Sequence, residues 1–149
     1  MRIADVLQEN CIRVQASCAS RLEALRQMSG MLSDAGLIYS KPQFLGSVLA
    51  REELEPTALG MGIAVPHGRS PAVRRPCMAL MTLVPGIDYG APDGVPVQII
   101  FMLATPPEAA DVHLEMLALV AEAAGGPKEI DRILSCRSAG ELYSLLTAS

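Results

Sequence analysis

Tryptophan is absent from this chain, and only two Phe and three Tyr stand among its 149 residues. So few flat rings leave no stacking platform of the kind that holds single-stranded nucleic acid. An excess of positive charge is missing as well: 12 Lys and Arg face 16 Asp and Glu, for a formal charge of −4. That balance provides no basic footprint, so no nucleic-acid partner is expected. Half of the residues are hydrophobic, yet no apolar run approaches the roughly 20 residues needed to cross a bilayer. The protein is therefore not expected to be membrane-embedded. The first nine residues carry Asp5 and Glu9 and lack the apolar core of a signal peptide, which predicts a cytoplasmic location. Cysteine is sparse. Cys11, Cys18, Cys77 and Cys136 form no Cys-x-x-Cys pair and match no zinc spacing. They are expected to be reduced, with Cys11 and Cys77 acting as small buried hydrophobes in apolar runs.

What is present suits one domain spanning 1–149, long enough for a substantial core. Ile3 to Leu7 reads as a helical turn, and Cys11 to Val14 as a short strand. Ser20-Arg21-Leu22-Glu23 is a capping box that opens a helix, with Leu22, Leu25, Met28, Ser29, Met31 and Leu32 on its apolar side. Gly36 ends it. Ser40-Lys41-Pro42-Gln43 opens a second helix that buries Phe44, Val48 and Leu49 and runs to about Leu54. Arg51, in its last turns, is favoured there by the helix dipole alone.

Nine of the eleven prolines fall between Pro56 and Pro107, interleaved with apolar runs. Ile63-Ala64-Val65 reads as a strand that Pro66 stops. Cys77 to Val84 and Val97 to Ala104 are strands apolar enough to be buried on both faces, and Pro92-Asp93-Gly94 marks a turn between them. The last third is helical. Thr105 or Asp111 is the candidate cap of the first of these helices, and Leu114, Leu117, Ala118, Ala121 and Ala124 form its expected packed side. The next begins at Gly125-Gly126-Pro127 and buries Ile130, Ile133 and Leu134. The final one starts at the capping box Ser138-Ala139-Gly140-Glu141 and buries Leu142, Leu145 and Leu146. Helices at both ends of a run of strands predict an α+β fold, an α/β/α three-layer sandwich with a central mixed sheet.

Histidine occurs twice. His67 follows Pro66 where the strand is expected to give way to a loop, a usual place for a working side chain. Gly68, without a Cβ, leaves room for a ligand or partner beside the imidazole. His113 falls near the start of its helix, where backbone N–H groups and the helix dipole favour anions. With Arg51, the two would suit a phosphoryl group, because an imidazole with a pKa of about 6.5 keeps a neutral, nucleophilic nitrogen at physiological pH. Arg69, Arg74 and Arg75 lie close by in sequence, either as a solvated face or as part of an anion site.

These residues stand in a longer pattern: Arg51-Glu52, Thr57, Gly60-x-Gly62-Ile63-Ala64-Val65-Pro66-His67-Gly68, Gly86-Ile87-Asp88, Pro96-Val97 and Phe101. It continues through His113-Leu114-x-x-Leu117-x-Leu119-Val120-Ala121 to Glu141-Leu142-Tyr143. In order and spacing this resembles the mannitol/fructose-type enzyme IIA family of the bacterial phosphotransferase system over nearly the whole chain. The start, Cys11…Cys18-x-Ser20, is similar to its nitrogen-regulatory branch. The resemblance implies a cytoplasmic phosphorelay protein of the transferase class, acting in signal transduction and nitrogen regulation. It implies His67 as the phosphohistidine, His113 as the second active-site histidine, and Arg51 as the phosphate-stabilising arginine. An HPr-like phosphocarrier would be the donor, and no cofactor or metal is implied. Pro56 and Ala58 beside Thr57, and Met61 in place of a common Asn, depart from the pattern in the loop before the strand.

The competing readings are a sugar-specific IIA component passing phosphate to a IIB partner, and a non-catalytic binding module on the same fold. Neither an attached permease nor an HPr-like segment is seen, which favours the free-standing regulator. A hydrolase using Cys77 or Cys136 has no motif, and a His67/His113 metal site lacks a third ligand. A rim of Met61 and Ile63, with Arg69 nearby, is the expected docking face.

Overall fold

The computed structural model describes residues 1–148; Ser149, the last residue of the expected domain, lies outside the described residues. A single 3-10 turn at Ile3–Asp5 leads into β1 (Leu7–Ala16), then α1 (Arg21–Asp34) and α2 (Lys41–Leu54). Short strands follow at β2 (Ala58–Gly60), β3 (Ile63–Ala64) and β4 (His67–Arg69), then the long pair β5 (Cys77–Ile87) and β6 (Val97–Thr105). Three helices close the chain: α3 (Ala110–Ala123), α4 (Pro127–Ser135) and α5 (Ala139–Thr147). The sheet order is β1-β5-β6-β3-β2, with β4 also beside β6. β1 runs parallel to β5, β5 antiparallel to β6, β3 and β4 parallel to β6, and β2 antiparallel to β3. The sheet is mixed, as expected.

Alternation along the central strands sorts side chains into two cores. Cys77, Ala79, Met81 and Leu83 of β5, with Ile100, Met102 and Ala104 of β6, pack on one face with Leu25, Met28 and Leu32 of α1 and Phe44 and Val48 of α2. The intervening Met78, Leu80, Ile99, Phe101 and Leu103 pack on the other face with Met116, Val120, Ile130, Ile133 and Leu142 of α3 to α5. Both faces of these strands are dry, which is why they read as continuous apolar runs.

Local chemistry at the helix ends follows the sequence. Ser20, Ser40 and Ser138 each accept the backbone N–H three residues on, satisfying first-turn donors of α1, α2 and α5. Gly36 adopts φ 74° while Leu37 N–H reaches the Leu32 carbonyl and Gly36 N–H the Ser33 carbonyl, the paired bonds of a left-handed helix stop. Pro92 to Gly94 is a turn closed by Gly94 N–H on the Ala91 carbonyl, and Asp93 Oδ1 accepts Val95 N–H.

Four expectations are corrected. β1 is ten residues long rather than four, because its polar segment Gln8-Glu9-Asn10 is an edge strand open to water. The segment before β3 is a strand, not only a loop: Gly60 pairs with Ile63, leaving Met61 and Gly62 as a two-residue hairpin tip. Neither Thr105 nor Asp111 caps α3; its cap is Ala109, with no side-chain bond, and Thr105 ends β6. The packed side of α3 is Met116 and Val120, with Leu117 and Ala124 half-buried against the same core as expected and Leu114, Ala118 and Ala121 exposed. A helix apolar on most sides gives no polar stripe from which to read its phase. Leu22 and Leu145 likewise lie near the surface.

Candidate functional site

The proline at position 66 interrupts the strand without ending the sheet. It has no N–H to donate, but its carbonyl accepts Leu103 N–H at 2.9 Å. Pairing with β6 therefore resumes at His67, opposite Leu103, and continues through Gly68 and Arg69. His67 is the first residue of β4 rather than a loop residue, and it inherits the rigidity of the sheet. Its Nδ1 lies 3.1 Å from the Val65 carbonyl. A carbonyl only accepts, so Nδ1 carries the proton in the neutral ring and Nε2 holds the free lone pair.

Gly68 has a different use from the one expected. A Cβ there would lie 3.0 Å from both Phe44 and Val48 side chains of α2. The glycine admits a helix, not a ligand, and the close packing of α2 on β4 brings Arg51 alongside His67. Arg51 donates from Nη1 to the Glu55 carbonyl at 2.9 Å, tying down the end of its own helix while its head lines the cleft.

His113, the fourth residue of α3, faces His67 with ring centroids 4.8 Å apart and planes tilted by 53°. Its own N–H is committed to the Ala109 carbonyl, so the ring, not that backbone donor, serves the cleft. Burial, then the neighbouring His67 and Arg69, hold its pKa below the ordinary value of 6.5. Near neutral pH it is an uncharged imidazole, able to donate one N–H to an anion.

The resulting cleft, ≈ 280 Å³, is lined by Ser47, Arg51, His67, Gly68, Arg69, Thr105 and His113. All three residues singled out from the sequence lie in it. Arg69 joins them, whereas Arg74 lies over the Tyr39 ring at 5.5 Å and neither it nor Arg75 lines the cleft. Ser47 and Thr105 were not foreseen as lining residues; the signal for Ser47 was its place one helical turn before Arg51. Ile63 is buried in the core and cannot serve the docking rim. Met61 is 54% exposed but sits on the hairpin tip beside Asp93, toward the Val97 end of β6, whereas His67 pairs with Leu103 near the other end, so Met61 does not border the cleft either. Leu114, 66% exposed and next to His113, is open to solvent on α3. Among the described residues, no group of three His, Cys, Asp or Glu could hold a metal ion. Two roomier hollows, of ≈ 470 and ≈ 520 Å³, involve α4 and α5 and contain no histidine. The smaller cleft gathers both histidines and two arginines.

Chemically, the cleft offers a nucleophilic ring nitrogen with a neutral N–H donor and two guanidinium groups around it. Such a set suits transfer of a phosphoryl group, where positioning and charge stabilisation matter most.

Comparison with known proteins supports the same assignment. A nitrogen regulatory protein of Klebsiella oxytoca is 30% identical over 148 residues, 99% of this chain and 91% of that one. A 2-O-alpha-mannosyl-D-glycerate-specific EIIABC component of the phosphotransferase system in Escherichia coli is 34% identical over 148 residues, 98% of this chain. The chain spans 22% of that relative's length and 19% of a fructose-specific EIIABC component's. The crystal structure of nitrogen regulatory protein IIA-Ntr from Neisseria meningitidis superposes with a TM-score of 0.88 at 29% identity, covering 97% of this chain and 99% of that one. Fold and relatives together define the class, a IIA-type phosphotransfer protein. More particularly, the chain belongs to the family described as phosphoenolpyruvate-dependent sugar phosphotransferase system, EIIA 2, whose model matches residues 5–149. No helix among the described residues is long and apolar enough to cross a membrane.

Proposed function

We propose that this protein is a cytoplasmic phosphorelay regulator, its 149 residues forming one IIA domain, that accepts a phosphoryl group on Nε2 of His67 from an HPr-like phosphohistidine donor. The observation that carries this reading is the His67 ring itself, held by Nδ1 on the Val65 carbonyl with Nε2 left free, 4.8 Å between centroids from His113. The Nε2 lone pair forms the new P–N bond, and the bonding pair of the donor's P–N bond stays with the donor imidazole. The Nδ1 proton remains on the His67 ring, where it is donated to the Val65 carbonyl. Arg51 and Arg69 balance the phosphoryl oxygens, and neutral His113 donates a hydrogen bond to them without accepting phosphate. The phosphohistidine donor is already activated, so no step calls for a cofactor.

The regulatory role is supported by the 30% identity to a nitrogen regulatory protein over 148 residues and by the fold match to IIA-Ntr at a TM-score of 0.88. The sugar-specific reading, with transfer onward to a IIB partner, is favoured by the 34% identity to the EIIABC component. The test is incubation with a phosphorylated HPr-type carrier, with the modified residue mapped under alkaline conditions that preserve the acid-labile P–N bond. Label is expected on His67 at Nε2 and lost in a folded His67→Ala variant. Undiminished label on another residue of that variant would refute the assignment.

A further inference from the structure

Behind Arg51 lies a charged side chain that the transfer step does not use. Glu52 is 3% exposed, and its carboxylate is surrounded by donors. Oε1 accepts the Thr57 N–H at 3.1 Å, and Oε2 accepts the Thr57 hydroxyl and the Tyr89 hydroxyl, the latter at 3.1 Å. Arg21 stands 3.9 Å from Oε1 and lies over the Tyr89 ring at 5.5 Å. A buried carboxylate is a poor way to gain stability, since its desolvation offsets much of what its partners return. It does confine geometry, because losing any one donor leaves a charge unmatched.

What it confines is the base of the β2–β3 hairpin. The Thr57 carbonyl accepts the Val65 N–H at 3.0 Å, and the Val65 carbonyl is the acceptor that holds Nδ1 of His67. Glu52 thus fixes Thr57 through two bonds, Thr57 fixes Val65, and Val65 fixes the imidazole. Because Arg51 is the adjacent residue of α2, one helix end sets both the guanidinium in the cleft and the strand that presents the ring. We infer that Glu52, acting through Thr57 and Val65 with Tyr89 in support, is the positioning residue that sets the tautomer and orientation of His67. The inference rests on the reading of His67 as the reacting residue.

The test uses the full chain in two measurements. The first reads the His67 tautomer from imidazole ¹⁵N shifts at a pH where the ring is neutral, and needs no donor. The second follows phosphorylation of His67 by phosphoramidate, whose P–N bond breaks as the Nε2–P bond forms and ammonia leaves. Glu52→Gln and Thr57→Val are expected to populate the Nε2–H tautomer and slow phosphorylation by about tenfold or more. Thr57→Ser, which keeps the hydroxyl, is expected to restore both to wild type. If Glu52→Gln fails to fold, the Val and Ser variants at position 57 decide. A wild-type tautomer and rate in folded Glu52→Gln and Thr57→Val, with only their melting temperatures lowered, would overturn the inference and leave a structural role. Failure of wild-type His67 to accept phosphoryl would instead sink the functional reading, while the tautomer comparison would still settle what Glu52 does.

Discussion

The imidazole of His113 is the residue whose environment, rather than its identity, defines its use. Burial and two cationic or potentially cationic neighbours keep it neutral, and a neutral ring donates a hydrogen bond without repelling Arg51 and Arg69. That has a signed consequence for stability. The unfolded chain binds a proton at His113 near its ordinary value of 6.5, while the folded chain does so only at lower pH. Below about pH 6.5 the unfolded state therefore holds more protons, so this residue's contribution to stability is lost as pH falls toward the depressed native value. His113→Gln, which cannot titrate, is expected to lose less stability than wild type between pH 7 and 5.5 in parallel thermal melts. An equal loss in both would remove His113 from the acid response. The same variant and Arg51→Ala are expected to slow transfer to His67, and wild-type kinetics in both would count against their assigned roles. His67, His113 and Arg51 were singled out in the sequence, and the structure gathers them in one cleft. The Nδ1 bond that leaves Nε2 of His67 free was not legible in the sequence, because it depends on a carbonyl two residues away folding back under a proline.

Short elements explain where sequence reading stopped. Serine caps and the long apolar strands declare themselves locally, so α1, α2, α5, β5 and β6 were legible. β2 and β4 are three residues each and owe their existence to pairing with β3 and β6, which no window of sequence contains. Gly68 makes the point measurable. Gly68→Ala would drive a methyl against Phe44 and Val48, pushing α2 from β4, with an expected destabilisation of about 1–3 kcal/mol by chemical denaturation and slower transfer. An unchanged denaturation midpoint would mean that the α2–β4 contact has slack. The hairpin tip offers the opposite prediction. Met61 holds φ 58°, its N–H on Asp93 Oδ2 at 2.8 Å, a conformation that Asn tolerates better than Met. Met61→Asn is expected to raise stability by roughly 0.5–1 kcal/mol, and a lower melting temperature would contradict it. Methionine there is strained and exposed.

At the scale of the whole molecule, the two helical layers and the sheet form packed cores on both sides of β5 and β6. Close-packed interiors resist continuous deformation, so a phosphoryl group on His67 is expected to alter the surface far more than the fold. The change in charge is large on that scale. The chain carries −4 overall, and a phosphoryl group adds about two negative charges near neutral pH, placed where Arg51 and Arg69 make the cleft locally positive. A phosphorylated donor is expected to meet the unmodified cleft with matching charge, and Leu114, exposed next to His113 on α3, is the apolar side chain expected to touch it. A regulatory target that reads the same rim is expected to distinguish the two forms by charge alone. The measurement is affinity capture from cytosol with wild type, His67→Ala and phosphorylated protein, alongside amide spectra of the first and last. Partners that follow the phosphorylation state, with spectral changes confined to residues around the cleft, are the expected result. Spectral changes spread through α4 and α5 would show a global rearrangement in place of a surface switch. The same partners at the same affinity in all three samples would leave only a phosphate carrier, and transfer to a IIB partner would then become the better account of the protein.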